Sequence, residues 1–118
     1  MTELPPPTDE VRRLVDIVGA EATLALIEAH GGTRFYVPRM PNERLVAIVG
    51  EPGAAALASL LGGEYLKLPL ARAWRVLVYQ ARGLSYPAIA RRVGCTEGAV
   101  WRTLSRHGLT QTQYDLFD

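Results

Sequence analysis

Cysteine is almost missing from this 118-residue chain: Cys95 stands alone, so no internal disulfide can form. Histidine is nearly as scarce, and one thiol with His30 and His107 is too few ligands for a closed zinc site. Cys95, within "RVGCTEG", therefore reads as a small buried hydrophobe. No apolar run approaches the ~18 residues that a membrane span needs. The start, "MTELPPPTDE", has no basic n-region or apolar h-region, so no secretory signal is expected. Also missing are a nucleophile–base arrangement, a phosphate-cradling glycine loop followed by Lys-Ser/Thr, and a cluster of metal ligands. Together these absences predict a cytoplasmic protein that is not an enzyme, with no metal, no cofactor and no membrane partner.

Of what is present, 48% of residues are hydrophobic, enough for a core in one compact domain or two very small units. The net charge of +1 hides an asymmetry. Residues 1–69 carry six Lys/Arg against nine Asp/Glu, residues 70–108 seven Arg against one Glu, and the last ten residues two Asp. The middle block is a footprint for a polyanion, or else its arginines coat exposed helix faces.

A phrase occurs twice: "HGGTRFYVPRM" from His30 and "LGGEYLKLPLA" from Leu61. With a shift of 31, residues 13–38 fall on 44–69 with eleven identities in 26 positions and no gap. Such a match argues for a tandem duplication. Each copy reads as helix, turn, helix, Gly-Gly, strand, proline. In the first, Thr8 is the expected N-cap, with Val11, Leu14, Val15 and Val18 on one stripe and Gly19 ending the helix. A second helix over 21–30 places Leu24 and Ile27 inward, and "TRFYV" forms a strand ending at Pro38. In the second copy Asn42 caps, Leu45 to Val49 are apolar, Gly50 interrupts, and a helix starts at Pro52. "EYLKL" is its strand. The two strands can pair within one chain or across a dimer axis.

The basic block opens with "LARAWRVLVYQAR", a predicted helix over 70–82. Leu70, Trp74, Leu77 and Val78 share one face, with Arg72, Arg75, Gln80 and Arg82 elsewhere. Then Ser85 caps a short helix with Pro87 in its first turn and Ile89, Ala90 and Val93 apolar. Gly94 permits a left-handed turn, and Thr96 caps a helix whose Val100 and Leu104 point back. This is the helix-turn-helix pattern; an ordinary helical hairpin is the alternative. In a helix-turn-helix the second helix enters the major groove by its N-terminus. Thr96, Glu97, Gly98, Arg102, Ser105 and Arg106 are then the candidate base contacts. Arg102 is the best reader, because its guanidinium bonds two guanine acceptors at once. Glu97 accepts from cytosine N4 or answers the helix dipole. Trp101 is expected to pack partly against the preceding helix. Arg91 and Arg92 are expected on phosphates, with Ser85, Tyr86, Arg72 and Arg75 as further backbone contacts.

The segments "LIEAHGGTRFYVP", "VGEPGAAALASLLGGEYLKLP" and "LSYPAIARRVGCTEGAVWRTL" resemble the Mor transcription activator family, over roughly residues 13–106. That resemblance implies a dimeric phage transcription activator that binds double-stranded DNA, and so is nucleoid-associated, and recruits RNA polymerase, its dimerisation domain joined by a short strand to the helix-turn-helix. It implies that Gly62 and Gly63 let the backbone turn ahead of the reader. Tyr65 and Lys67 become minor-groove or phosphate contacts, core packing in the ribbon being the other role open to Tyr65.

The expected fold is mainly α, a duplicated helix-helix-strand dimerisation module with a small β-ribbon followed by a C-terminal helix-turn-helix. Its parts are a flexible start (1–9), the module (10–69), the basic domain (70–108) and an acidic tail (109–118). The alternatives to a regulator are a phage DNA-packaging adaptor and an interaction module that does not bind DNA.

Overall fold

The computed structural model describes residues 4–109, which hold six α-helices and one two-stranded sheet. In chain order these are α1 (Asp9–Val18), α2 (Ala20–His30), β1 (Arg34–Tyr36), α3 (Glu43–Leu61), β2 (Tyr65–Lys67), α4 (Arg72–Ala81), α5 (Tyr86–Val93) and α6 (Glu97–Arg106). The chain divides into two compact units, Met1–Ala71 and Arg72–Asp118. Apart from Leu109, the acidic tail lies outside the described residues, as do residues 1–3.

In the first unit, α1, α2 and α3 pack against one another. Thr8 occupies the N-cap backbone position of α1, but its side chain makes no capping bond. Asp9 and Glu10 instead place carboxylates in the first turn, where they favour the positive end of the helix dipole. Residues 4–8 form no regular structure, yet Leu4, Pro5, Pro7 and Thr8 are half-buried, so this part of the start is not a fully solvated arm. Val11 and Leu14 are buried, whereas Val15 and Val18 sit at the edge of the stripe and are half-buried. Asn42 does cap α3, its Oδ1 accepting the Leu45 N–H at 2.8 Å.

By length and hydropathy α3 could cross a membrane. Its apolar residues have another use. Leu45, Val49, Ala54, Leu57 and Leu61 join Leu14, Leu26, Phe35, Val37 and Leu68 in one core. Burying each such leucine stabilises the fold by roughly 1.5–3 kcal/mol. The helix is also broken at Gly50 (φ 81°, ψ 167°) and restarts with Pro52 in its first turn, where a missing N–H costs nothing.

The shift of 31 that relates the two sequence copies also relates their geometry. Gly19 and Gly50 share one torsion pair, 86°, 164° against 81°, 167°. Leu14 and Leu45, Leu26 and Leu57, and Val37 and Leu68 are all core pairs 31 apart. The Gly-Gly doublets divide their work in both copies. A Cβ on Gly31 or Gly62 would collide with the carbonyl oxygen of Ile27 or Ala58, while Gly32 and Gly63 turn the chain at φ 84° and 86°. β1 and β2 then pair antiparallel within one chain, Arg34 opposite Lys67, Phe35 opposite Leu66 and Tyr36 opposite Tyr65. The flanking bonds are reciprocal. Gly32 N–H donates to Leu68 O (2.8 Å) and Gly63 N–H to Val37 O (2.7 Å), while Leu68 N–H donates to Thr33 O and Val37 N–H to Glu64 O, each 2.9 Å. A local two-fold therefore relates the copies at the ribbon.

In the second unit, α4 packs on α5 and α6, and α5 packs on α6. α4 starts at Arg72 rather than 70 because Ala71 adopts φ 49°, which a right-handed helix does not accommodate. Leu70 is therefore outside the helix and 41% exposed, not part of its apolar face. Six consecutive residues, Trp74 to Tyr79, are buried.

Candidate nucleic-acid interface

The geometry of α5 and α6 follows from two hydroxyl caps and one turn. Ser85 Oγ accepts the Ala88 N–H at 3.3 Å, and Thr96 Oγ1 accepts the Ala99 N–H at 3.0 Å. Each cap satisfies one of the amides that a helix start leaves unpaired, worth about 1 kcal/mol. Between them Gly94 is left-handed (φ 79°, ψ 44°), and the N–H groups of Gly94 and Cys95 both donate to Ala90 O, at 2.9 and 3.0 Å. Cys95 is half-buried.

The burial of α6 separates two faces. Val100, Thr103 and Leu104 are buried, while Glu97, Gly98, Trp101, Arg102 and Arg106 are exposed and Ser105 is half-buried. Helical spacing puts 97, 98, 101, 102 and 105 on one stripe, since neighbours along a helix face lie three or four apart. The six candidate base contacts thus lie on or at the N-terminal end of one helix. Thr96 is occupied as the cap, and Glu97 lies in the first turn, where the dipole favours a carboxylate. The Arg102 side chain lies back along the helix, its Nη1 near the space above Gly98.

Trp101 is 52% exposed, which leaves room for the expected partial packing. Its exposed part stands in the middle of this stripe, three residues after Gly98 and four after Glu97, so it shares the face of the candidate base contacts.

Arg75 differs in the opposite sense. Its side chain is buried, with the guanidinium donating to the carbonyl of Arg92 at 2.9 Å and Nε to the Tyr79 hydroxyl at a long 3.4 Å. Arg75 therefore ties α4 to the end of α5, and against expectation it is not placed to contact a DNA backbone, because its guanidinium is buried and bonded within the protein. Arg92 is exposed, and its guanidinium lies 5.1 Å from the centre of the Tyr79 ring, which holds that side chain against α4. Arg72, Arg91 and Ser85 are exposed and Tyr86 half-buried, so phosphates can reach them. Lys67, Tyr65, Gly62 and Gly63 belong to the first unit. There Tyr65 is 62% exposed, against ring-packing in a core, and Lys67 is exposed too. His107 closes α6, with Nδ1 2.9 Å from Thr103 O. Among the described residues no group of His, Cys, Asp and Glu could hold a metal ion.

Ser85-capped α5, the left-handed turn at Gly94 and Thr96-capped α6, packed on α4, form a helix-turn-helix, an architecture used by many DNA-binding domains. Family comparison agrees: residues 69–113 match the model of a homeodomain-like domain. Comparison with curated proteins and with solved structures found no match.

Proposed function

We propose that this chain is a sequence-specific DNA-binding transcription regulator that reads the major groove with α6. The observation that carries the reading is the split of α6 into a buried Val100–Thr103–Leu104 side and an exposed side bearing Gly98, Trp101 and Arg102. The charge of its surroundings supports it, seven Arg against one Glu over residues 70–108. In this reading Arg102 bonds guanine, Trp101 supplies an apolar contact such as a thymine methyl accepts, and Arg91 clamps phosphate.

The proposal extends to a phage or prophage activator of the Mor type, acting in the cytoplasm without catalysis. It binds as a homodimer to inverted half-sites about one helical turn apart and recruits RNA polymerase. The resemblance of the three quoted segments supports this extension. Because β1 and β2 pair within one chain, such a dimer uses a surface other than the edge joining these strands.

The test is fluorescence anisotropy of the purified protein on DNA from upstream of its own and neighbouring genes, with a scrambled duplex as control. Tight binding to one fragment at physiological salt is expected. On that fragment Arg102→Ala should lose about 1–3 kcal/mol and relax sequence preference. Wild-type affinity in that variant would remove α6 from the reading role. Light scattering should give dimers; rings of eight or more copies would point instead to a packaging adaptor.

A further inference from the structure

The first unit holds a cavity of about 310 Å³ between the ribbon, the end of α2 and the start of α3. Arg34, Arg44 and His30 line it, together with Phe35, Tyr36 and Tyr65, and no lining residue is acidic. Neither Arg34 nor Arg44 forms an ion pair among the described residues. Both guanidiniums are instead held on rings, that of Arg34 4.7 Å from the centre of Tyr65 and that of Arg44 5.8 Å from Phe35. A guanidinium that lies over a ring with no carboxylate bound to it keeps N–H donors for a ligand, and its fork fits the oxygens of a phosphate two at a time. The His30 ring, 5.0 Å from Phe35, adds a third nitrogen-bearing group.

The rest of the lining offers a flat body one aromatic face bounded by an aromatic edge. Tyr36 and Tyr65 meet edge to face at 5.2 Å, and are 46% and 62% exposed. Large exposed rings beside unpaired cations gain from stacking a planar ligand, on the order of 1–3 kcal/mol per base in nucleic-acid binders. The cavity is at the small end of the roughly 300–1,000 Å³ typical of ligand pockets, which limits the occupant to about one ring and one anionic group.

We infer that this cavity is a binding site for a single nucleotide unit, its phosphate held by Arg34 and Arg44 and its base laid against Tyr36 and Tyr65. The unit comes from a free mononucleotide or from a nucleic-acid strand. The site lies wholly in the first unit and does not depend on α6.

Calorimetric titration of the full chain tests this, with AMP, adenosine, inorganic phosphate and a single-stranded dA oligonucleotide as probes. AMP should saturate the protein, with adenosine and phosphate each weaker by about tenfold or more because each lacks one half of the recognition. Arg34→Gln and Arg44→Gln should each weaken AMP by about tenfold, since each loses one charged fork. Both side chains are exposed, so circular dichroism should show both variants folded. Arg102→Ala should leave AMP binding unchanged, which separates failure of this site from failure of duplex reading by α6. Oligonucleotide binding with the same dependence on Arg34 and Arg44, but none of AMP, would assign the nucleotide to a strand. Absence of binding by either probe, or wild-type binding by both folded arginine variants, overturns the inference.

Discussion

Arg75→Met separates a structural arginine from a DNA-binding one. Methionine keeps an unbranched apolar stem in the buried channel but removes the donors. What is lost includes the charge-assisted bond to Arg92 O, 2.9 Å long, and the ring contact with Tyr79 at 5.7 Å. A hydrogen bond from a charged donor is worth about 1.5–3 kcal/mol, and the long bond to the Tyr79 hydroxyl adds little. The Arg92 carbonyl is only part-buried and can turn to water in the variant, which places the total loss at about 1.5–3 kcal/mol. Urea denaturation of the full chain, followed by circular dichroism, measures this from the midpoint at constant slope. The second readout is the salt dependence of DNA affinity. A residue that neutralises one phosphate contributes about 0.9 to the slope of log K against log salt. Since Arg75 is buried in the protein, Arg75→Met should leave that slope unchanged in the folded fraction. Undiminished stability together with a slope lower by about 0.9 would refute the reasoning and return Arg75 to the DNA backbone.

Arg91→Ala should behave in the opposite way, weakening binding equally on all sequences and lowering the salt slope by about 0.9 while stability stays within about 0.5 kcal/mol; a loss confined to one sequence would contradict its phosphate role. Trp101→Ala should weaken binding to the preferred fragment with little change in unfolding midpoint, because the ring is half in solvent. Its fluorescence in the wild-type protein should be quenched by iodide and shielded once DNA is bound. Trp74, fully buried, supplies the unresponsive background.

Much of this was legible because short-range chemistry decided it. Asn42, Ser85 and Thr96 each begin a helix by a bond to the amide three residues on, and such bonds need only local sequence. Thr8 has the same chemistry, but its backbone position is not matched by a side-chain bond, and sequence does not specify that rotamer. The period of apolar residues found the core faces of α5 and α6. It failed for α4, where packing against two helices buries six residues in succession and leaves no polar face for Arg75 to occupy. Strand existence was readable from composition and strand partner was not. Pairing is a long-range choice between segments 31 residues apart, and the same pattern would serve within or between chains. The nucleotide-sized cavity was invisible for a related reason: its lining gathers residues from α2, β1, the start of α3 and β2.

The correspondence between copies makes a quantitative demand of its own. Gly19 and Gly50 both lie at φ above 80° with ψ near 165°, a region that is essentially closed to residues with a Cβ. A Cβ added at Gly19 meets nothing within 4 Å, and one at Gly50 meets only Pro52 Cδ at 3.9 Å. Alanine at either position therefore costs backbone strain and nothing else, about 1–3 kcal/mol. Because the torsions agree within 5°, Gly19→Ala and Gly50→Ala should destabilise by the same amount, to within about 0.5 kcal/mol. The double variant should lose the sum if each helix junction bends independently. Denaturation of the two single variants and the double measures all three values. Unequal single losses would mean that one junction relaxes to ordinary torsions and the other cannot, and the two copies would then be alike in conformation without being alike in the forces that hold it.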